Sequence, residues 1–126
     1  MQRVEFKPDG GITIDAYGST GVRLSPLTPP LAQGASVQAA CFRLASGGRI
    51  GRHPASVPQL LAVVEGSGWV SGAGGEGQAI GAGEAVWWDT GEEHETWTDA
   101  GLTAIVIEGE GVMAYAPGTT KKATEA

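Results

Sequence analysis

Apolar positions along this chain alternate with polar ones or cluster in short unbroken runs, and they rarely fall at the three- and four-residue spacing of a helix. Such runs occupy residues 4–7, 12–15, 22–27, 36–45, 60–65, 69–71, 78–80, 85–88, 94–98 and 102–107, with Gly, Pro or Asp between most of them. "PQLLAVVEG" is representative. Its apolar run is too short for a helix, rich in valine, and bounded by Pro58 and Gly66. A strand buried on both faces has this form, and "LTAIVIEG" repeats it. "SGAGGEG" lies between two such runs and reads as a hairpin turn. "LSPLTPPLAQG" holds three prolines and reads as an extended loop or a pinned edge segment. The pattern predicts one all-β domain, a sandwich or barrel of many short strands.

Composition supports that reading. The chain has 126 residues, the size of one ordinary domain, and carries 21 Gly and 7 Pro. So many glycines burden a helix far more than they burden a set of tight turns. The net charge of −6, with no Lys/Arg cluster, argues against nucleic acid as a partner. A single cysteine, Cys41, excludes an internal disulfide framework, and its place in "SVQAACFRLA" predicts a buried, inert thiol. No signal peptide is visible in "MQRVEFKPDG", and no stretch approaches the roughly 20 apolar residues of a membrane span. The expectation is a soluble cytoplasmic protein with no membrane partner.

Several candidate motifs fail on context. Gly72, Gly74 and Gly77 have the spacing of a dinucleotide-binding turn, but a strand-like stretch follows where a helix is required. A nucleophile elbow at Ser67 fails because Glu65 stands where the first glycine belongs. Arg43, Arg49 and Arg52 read as solvated surface positions. Adjacent Trp87 and Trp88 must point to opposite faces of one strand, so one of them faces the interior and becomes a candidate wall for a ligand.

The two histidines are set in longer patterns. "GRIGRHPASVPQLLAVVEGSG" keeps Gly48, His53 and Gly66, and "GEAVWWDTGEEH" keeps Gly83, Gly91 and His94 at regular spacing, with Asp89 at a position usually held by proline. Together these blocks resemble the two signatures of the cupin superfamily, and with their linker they span about half of the chain. The resemblance implies a double-stranded β-helix, or jelly-roll barrel, with a metal site inside it. Carried over by position, His53 matches the first ligand and His94 the last, while Ala55 and Gln59 stand where a second histidine and a glutamate would be. Alanine has no donor atom and glutamine offers only a neutral carbonyl oxygen. The two-histidine, one-carboxylate set that suits non-haem iron is therefore absent, although two imidazoles suit Fe, Ni, Cu or Zn. Glu92 shares the strand face of His94 by alternation and in principle could replace the lost carboxylate, but Glu92, Glu93 and Glu95 read first as a solvated strand mouth.

The domain division expected on this reading is an N-terminal extended segment at 1–30 with possible dimer-contact strands, a cupin-like barrel at 31–116, and a flexible tail at 117–126. The expected function is binding of a small molecule in the barrel interior by His53, Gln59, His94, Trp87 and Trp88. His53, Gln59 and His94 are also the candidate ligands for a divalent transition metal. The alternative is a metal-dependent dioxygenase or isomerase acting on a small polar substrate. A sensor or interaction module is a third class, though no helix-turn-helix pattern points to DNA. A homodimer is expected.

Overall fold

The structure, a computed structural model, describes residues 1–116, apart from the side chain of Arg23. The tail expected at 117–126 lies outside the described residues. Ten strands follow in order: β1 (Gln2–Glu5), β2 (Ile12–Ile14), β3 (Val22–Leu24), β4 (Gln38–Leu44), β5 (Arg49–Pro54), β6 (Gln59–Ser71), β7 (Gln78–Gly81), β8 (Glu84–Trp88), β9 (Glu93–Trp97) and β10 (Leu102–Glu108). A 3-10 turn at Ala16–Gly18 is the one short helical element among the described residues. Eight strands join in an antiparallel jelly-roll barrel, and among the described residues β2 and β3 pair only with each other. Among the described residues no helix is long and apolar enough to cross a membrane.

The main sheet runs β1-β8-β6-β10-β4. Its inner face carries Leu61 and Val63 from β6, Val86 and Trp88 from β8, and Ala104 and Val106 from β10, all in one buried cluster with Val70 and Ile80 of the opposing sheet. Its outer face carries Leu60, Ala62 and Ala85, covered by Leu27, Leu31, Val112 and Ala114 from the chain segments on either side of the barrel. Both faces of β6 are therefore buried, which is why its sequence is a continuous apolar run rather than an alternating one.

Two readings of the pattern are corrected here. Residues 60–65 and 69–71, expected as two strands, form one strand of thirteen residues. β6 pairs with β8 and β10 through its first half and with β7 and β9 through its second, passing from one sheet to the other. Gly66 makes that passage possible. Its φ is +83°, and a Cβ there would collide with the carbonyl oxygen of Gly101. Strand β5 was missed altogether, because Gly51 and Pro54 interrupt "RIGRHP" and leave no alternation to detect. The segment 1–30 is divided: β1 is an end strand of the barrel sheet, while β2 and β3 form the separate hairpin.

Cys41 is exposed, not buried. Among the described residues strand β4 pairs on one side only, with β10, and six of its seven residues are exposed. An apolar composition signals a buried strand only where a second layer covers it.

Gly66→Ala is expected to destabilise the protein by about 2–3 kcal/mol, through left-handed strain plus the backbone collision. Gly74→Ala, where nothing lies within 4 Å of an added Cβ, is expected to be near neutral. Urea unfolding of both variants measures the contrast.

Candidate functional site

The site forms where β9 of one sheet approaches β8 of the other. Strands β5 and β9 are antiparallel, with Arg49 opposite Trp97, Ile50 opposite Thr96 and His53 opposite His94. Three steps on β5 match two on β9, so one extra residue is inserted between Ile50 and His53. The insertion reverses the alternation. Without it Arg52 would face the same way as Ile50; with it His53 takes the position opposite His94. Re-aiming of a side chain beside a site is a common use of a bulge. Arg52 instead bonds the backbone carbonyl oxygens of Gly72 and Ala73 at 3.1 and 3.4 Å.

The two imidazoles lie with ring centroids 4.5 Å apart and planes inclined at 54°. His94 is buried, at 2% exposure, and its other face stacks on Trp88 at 4.4 Å. Trp88 is fixed in turn by a 3.0 Å bond from its indole nitrogen to the carbonyl of Ser71. His53 is exposed, so the expectation that both rings lie inside the barrel holds for His94 alone. The physical reason is that His53 sits on the outermost strand of its sheet, and among the described residues β5 pairs only with β9.

Both rings are oriented by the backbone two residues earlier. Nδ1 of His53 lies 2.6 Å from the carbonyl oxygen of Gly51, and Nδ1 of His94 lies 3.1 Å from that of Glu92. A carbonyl can only accept, so each Nδ1 carries the proton and donates it. In the neutral rings each Nε2 then keeps its lone pair, available to a proton, a metal ion or a ligand donor. Burial lowers the pKa of His94 below the ordinary 6.5; its bond to the Glu92 carbonyl opposes the shift, and the neighbouring His53 adds to it.

Gln59 is placed by strand register. Gln38, Glu108, Gln59 and Trp88 are consecutive partners across β4, β10, β6 and β8, so they form one row along the inner face. The amide nitrogen of Gln59 donates to Glu108 Oε2 at 3.0 Å, which leaves the amide oxygen as its remaining polar atom. Glu108 is the residue that sequence reasoning missed. The available signal was parity: 102, 104 and 106 are buried on one face, and 108 continues it. Glu108 also lines a cavity of about 430 Å³ with Gln38, Ser56, Val57 and neighbours, and neither histidine borders it.

Other expected members are elsewhere. Trp87 faces outward, its indole nitrogen bonded to the carbonyl of Val112 at 2.8 Å, so of the two tryptophans only Trp88 reaches the site. Glu92 is not a substitute carboxylate. Its side chain bonds the amino group of Met1 at 3.0 Å and the backbone amides of Asp89 and Ala73. Burial alone would raise its pKa, but these bonds together hold it below the ordinary value. Ala55 is buried and adds no donor.

No group of three or more His, Cys, Asp or Glu side chains able to hold a metal ion occurs among the described residues. The candidate donor set is the two imidazole Nε2 atoms and, on the register partner of the Trp88 that His94 stacks on, the amide oxygen of Gln59. By donor type it suits a transition dication with open positions, without the charge that a carboxylate would add.

No family model matches the chain. It is 34% identical over 110 residues to the (R)-mandelonitrile lyase of Granulicella tundricola, an alignment spanning 84% of this chain and 78% of that protein. Among solved structures it is similar to an RmlC-like cupin from Shewanella frigidimarina, with TM-score 0.56 and 18% identity over 72% of this chain and 91% of the other. It is also similar to the DMSP lyase DddQ of Ruegeria pomeroyi, with TM-score 0.56 and 21% identity; the match covers 60% of this chain and 39% of that one.

The lowered pKa of His94 has a consequence for stability in metal-free protein. As pH falls below 6.5 the unfolded histidine takes up a proton that folded His94 resists, so the folded state loses stability down to the folded pKa. Denaturation at a series of pH values between 7.5 and 5, after chelator treatment, is expected to show this fall. His94→Phe, which keeps a ring against Trp88, is expected to flatten it.

Proposed function

This chain belongs to the cupin superfamily, and on that premise we propose that the His53–His94 pair binds a small α-hydroxynitrile and cleaves it to an aldehyde and hydrogen cyanide. The observation that carries the proposal is the pair of facing imidazoles, each with Nδ1 held by a backbone carbonyl and Nε2 left as an acceptor. A lyase of this type needs a base held at the substrate hydroxyl and little else. The relative that is 34% identical to this chain over 110 residues is named for such a cleavage.

The reaction balances with these groups. An imidazole Nε2 takes the hydroxyl proton, and the oxygen lone pair forms the carbonyl. The bond to the nitrile carbon breaks and its electron pair leaves with cyanide, which then takes the proton from the imidazolium. No oxidant or reductant enters. Trp88 fixes the plane of the His94 ring, so that the lone pair is aimed before substrate arrives. Glu108 holds the amide of Gln59 and leaves the amide oxygen to accept a hydrogen bond from the substrate. His53, being exposed, lies on the entry side.

A divalent transition metal would compete for the same atoms. His53, His94 and Gln59 would hold it through the Nε2 lone pairs and the amide oxygen; when bound it would supply polarisation of the substrate oxygen in place of an imidazole base. The ligand partner is thus a small polar molecule.

Cleavage of mandelonitrile, followed by the absorbance of the aldehyde, tests the proposal on protein purified without a histidine tag. Assays run after chelation and after separate addition of Fe, Ni, Cu or Zn. Turnover above the buffer rate is expected, with a loss of about 100-fold or more in His94→Ala. A rate equal to buffer under every metal condition rejects the reaction. Calorimetric binding of the nitrile without turnover would leave a binding protein in its place.

A further inference from the structure

Three strands bring a side chain to the site: β5 brings His53, β9 brings His94 and β8 brings Trp88. Each strand, or the turn leading into it, also sends a bond to one short stretch at the end of β6, residues 71–73. From β8, the indole nitrogen of Trp88 donates to the carbonyl oxygen of Ser71 at 3.0 Å. From the turn before β9, the Glu92 carboxylate accepts from the amide of Ala73 at 3.3 Å. From β5, the guanidinium of Arg52 donates to the carbonyl oxygens of Gly72 and Ala73 at 3.1 and 3.4 Å, and to the Ser71 hydroxyl at 3.4 Å. Ser71 is fully buried, so the stretch is anchored in the barrel. Gly72 permits the convergence: a Cβ there would lie 2.6 Å from the Glu92 oxygen that accepts from the Ala73 amide.

The three ties differ in what they fix. Strands β8 and β9 are paired on both sides, which already places Trp88 and His94. Among the described residues β5 pairs with β9 alone, and its ladder is broken just where its site residue stands: Gly51 and Arg52 together oppose Glu95, and His53 is the first paired residue after the break. A bulge of this kind disrupts the ladder locally. The bond from His53 Nδ1 runs to the Gly51 carbonyl, inside the bulge, so it orients the ring relative to the bulge and not relative to His94. Arg52 is the bulge residue beside His53, and its side chain reaches β6, the strand beyond β9 in that sheet. Charged bonds from a planar fork fix direction as well as distance.

From these bonds we infer that Arg52 is a positioning residue: it ties the β5 bulge to the stretch that also anchors Trp88, and thereby sets the His53 ring against the His94 ring. His94 stacks on Trp88 at 4.4 Å, so both imidazoles are referred to residues 71–73, and their 4.5 Å separation is set there. Arg52 acts through His53 and takes no proton itself. The inference rests on the reading of His53 and His94 as the functional pair, and not on the lyase reaction. Arg49 supplies the internal comparison. It is an exposed arginine on the same strand, but its guanidinium pairs with Glu95 and lies over the Trp97 ring, both on β9. These contacts join β5 to β9 without reaching residues 71–73.

Nuclear magnetic resonance of the full chain, metal-free and labelled at histidine, tests the inference; two histidines give two sets of ring signals. The parent is expected to show a through-space cross-peak between the two rings, and His94 protons shifted upfield by Trp88. Arg52→Ala is expected to lose the ring–ring cross-peak while His94 keeps its upfield shift and circular dichroism stays as in the parent. Arg52→Met, which keeps the apolar stem and removes every donor, is expected to do the same and carries the test if the alanine variant fails to fold. Arg52→Lys returns a cation to the carbonyls through a single point donor and is expected to recover part of the cross-peak. Arg49→Ala is expected to keep it. A parental cross-peak in both Arg52→Ala and Arg52→Met, or an equal loss in Arg49→Ala, overturns the inference. No nitrile enters the experiment, so a parent without turnover rejects the reaction and leaves this result to be read separately.

Discussion

Strand β6 is the constraint on which the rest of the molecule depends. Thirteen residues run without a break from one sheet into the other, pairing with four different strands on the way. A chain can turn this corner only where a residue accepts left-handed backbone geometry and another backbone can come close. Gly66 meets both requirements against Gly101, and the β6–β10 register shifts at Thr103–Ala104 to absorb the change. Gly68 serves the same passage, since a Cβ there would strike the backbone of Trp97. The two sheets are held at a fixed mutual position by this one strand, and the site lies in the space so defined.

What the fold positions is a pair of imidazoles in unequal surroundings. His94 is packed against Trp88 inside the barrel, and His53 faces it from an edge strand open to water. The inequality follows from architecture: β9 is paired on both sides and β5 on one. It has a chemical result. The buried ring resists protonation, while the backbone carbonyls fix the same tautomer in both. In the neutral rings each Nε2 is then left as an acceptor. Glu92 is committed to the amino group of Met1 and to turn amides, and Glu108 to the amide of Gln59. Two imidazoles and a neutral amide hold a dication less strongly than a carboxylate-bearing set would.

The periphery is governed by the same edge problem that barrels solve in their interior. β1 is protected by being short and charged, and the outer face of the main sheet is covered by Leu27, Leu31, Val112 and Ala114. Among the described residues β4 has one strand partner, and β2 and β3 form a separate two-stranded sheet.

Much of this was legible in the amino-acid sequence. The turn residues and apolar runs marked nine of the ten strands, and the spacing around His53 and His94 located both rings and the family. Opposite facing of Trp87 and Trp88 followed from strand alternation alone. These features are local: a glycine at a turn, or a period of two, acts through neighbours a few residues away. Tertiary structure alone decided the rest. The bulge that turns His53 toward His94 lies in a strand with no readable alternation. The use of Glu92 and Glu108 depends on partners 91 and 49 residues distant. The exposure of Cys41 and His53 depends on which strands end their sheets. Pairing order and layer coverage are set by long-range contacts, and no short window of sequence contains them.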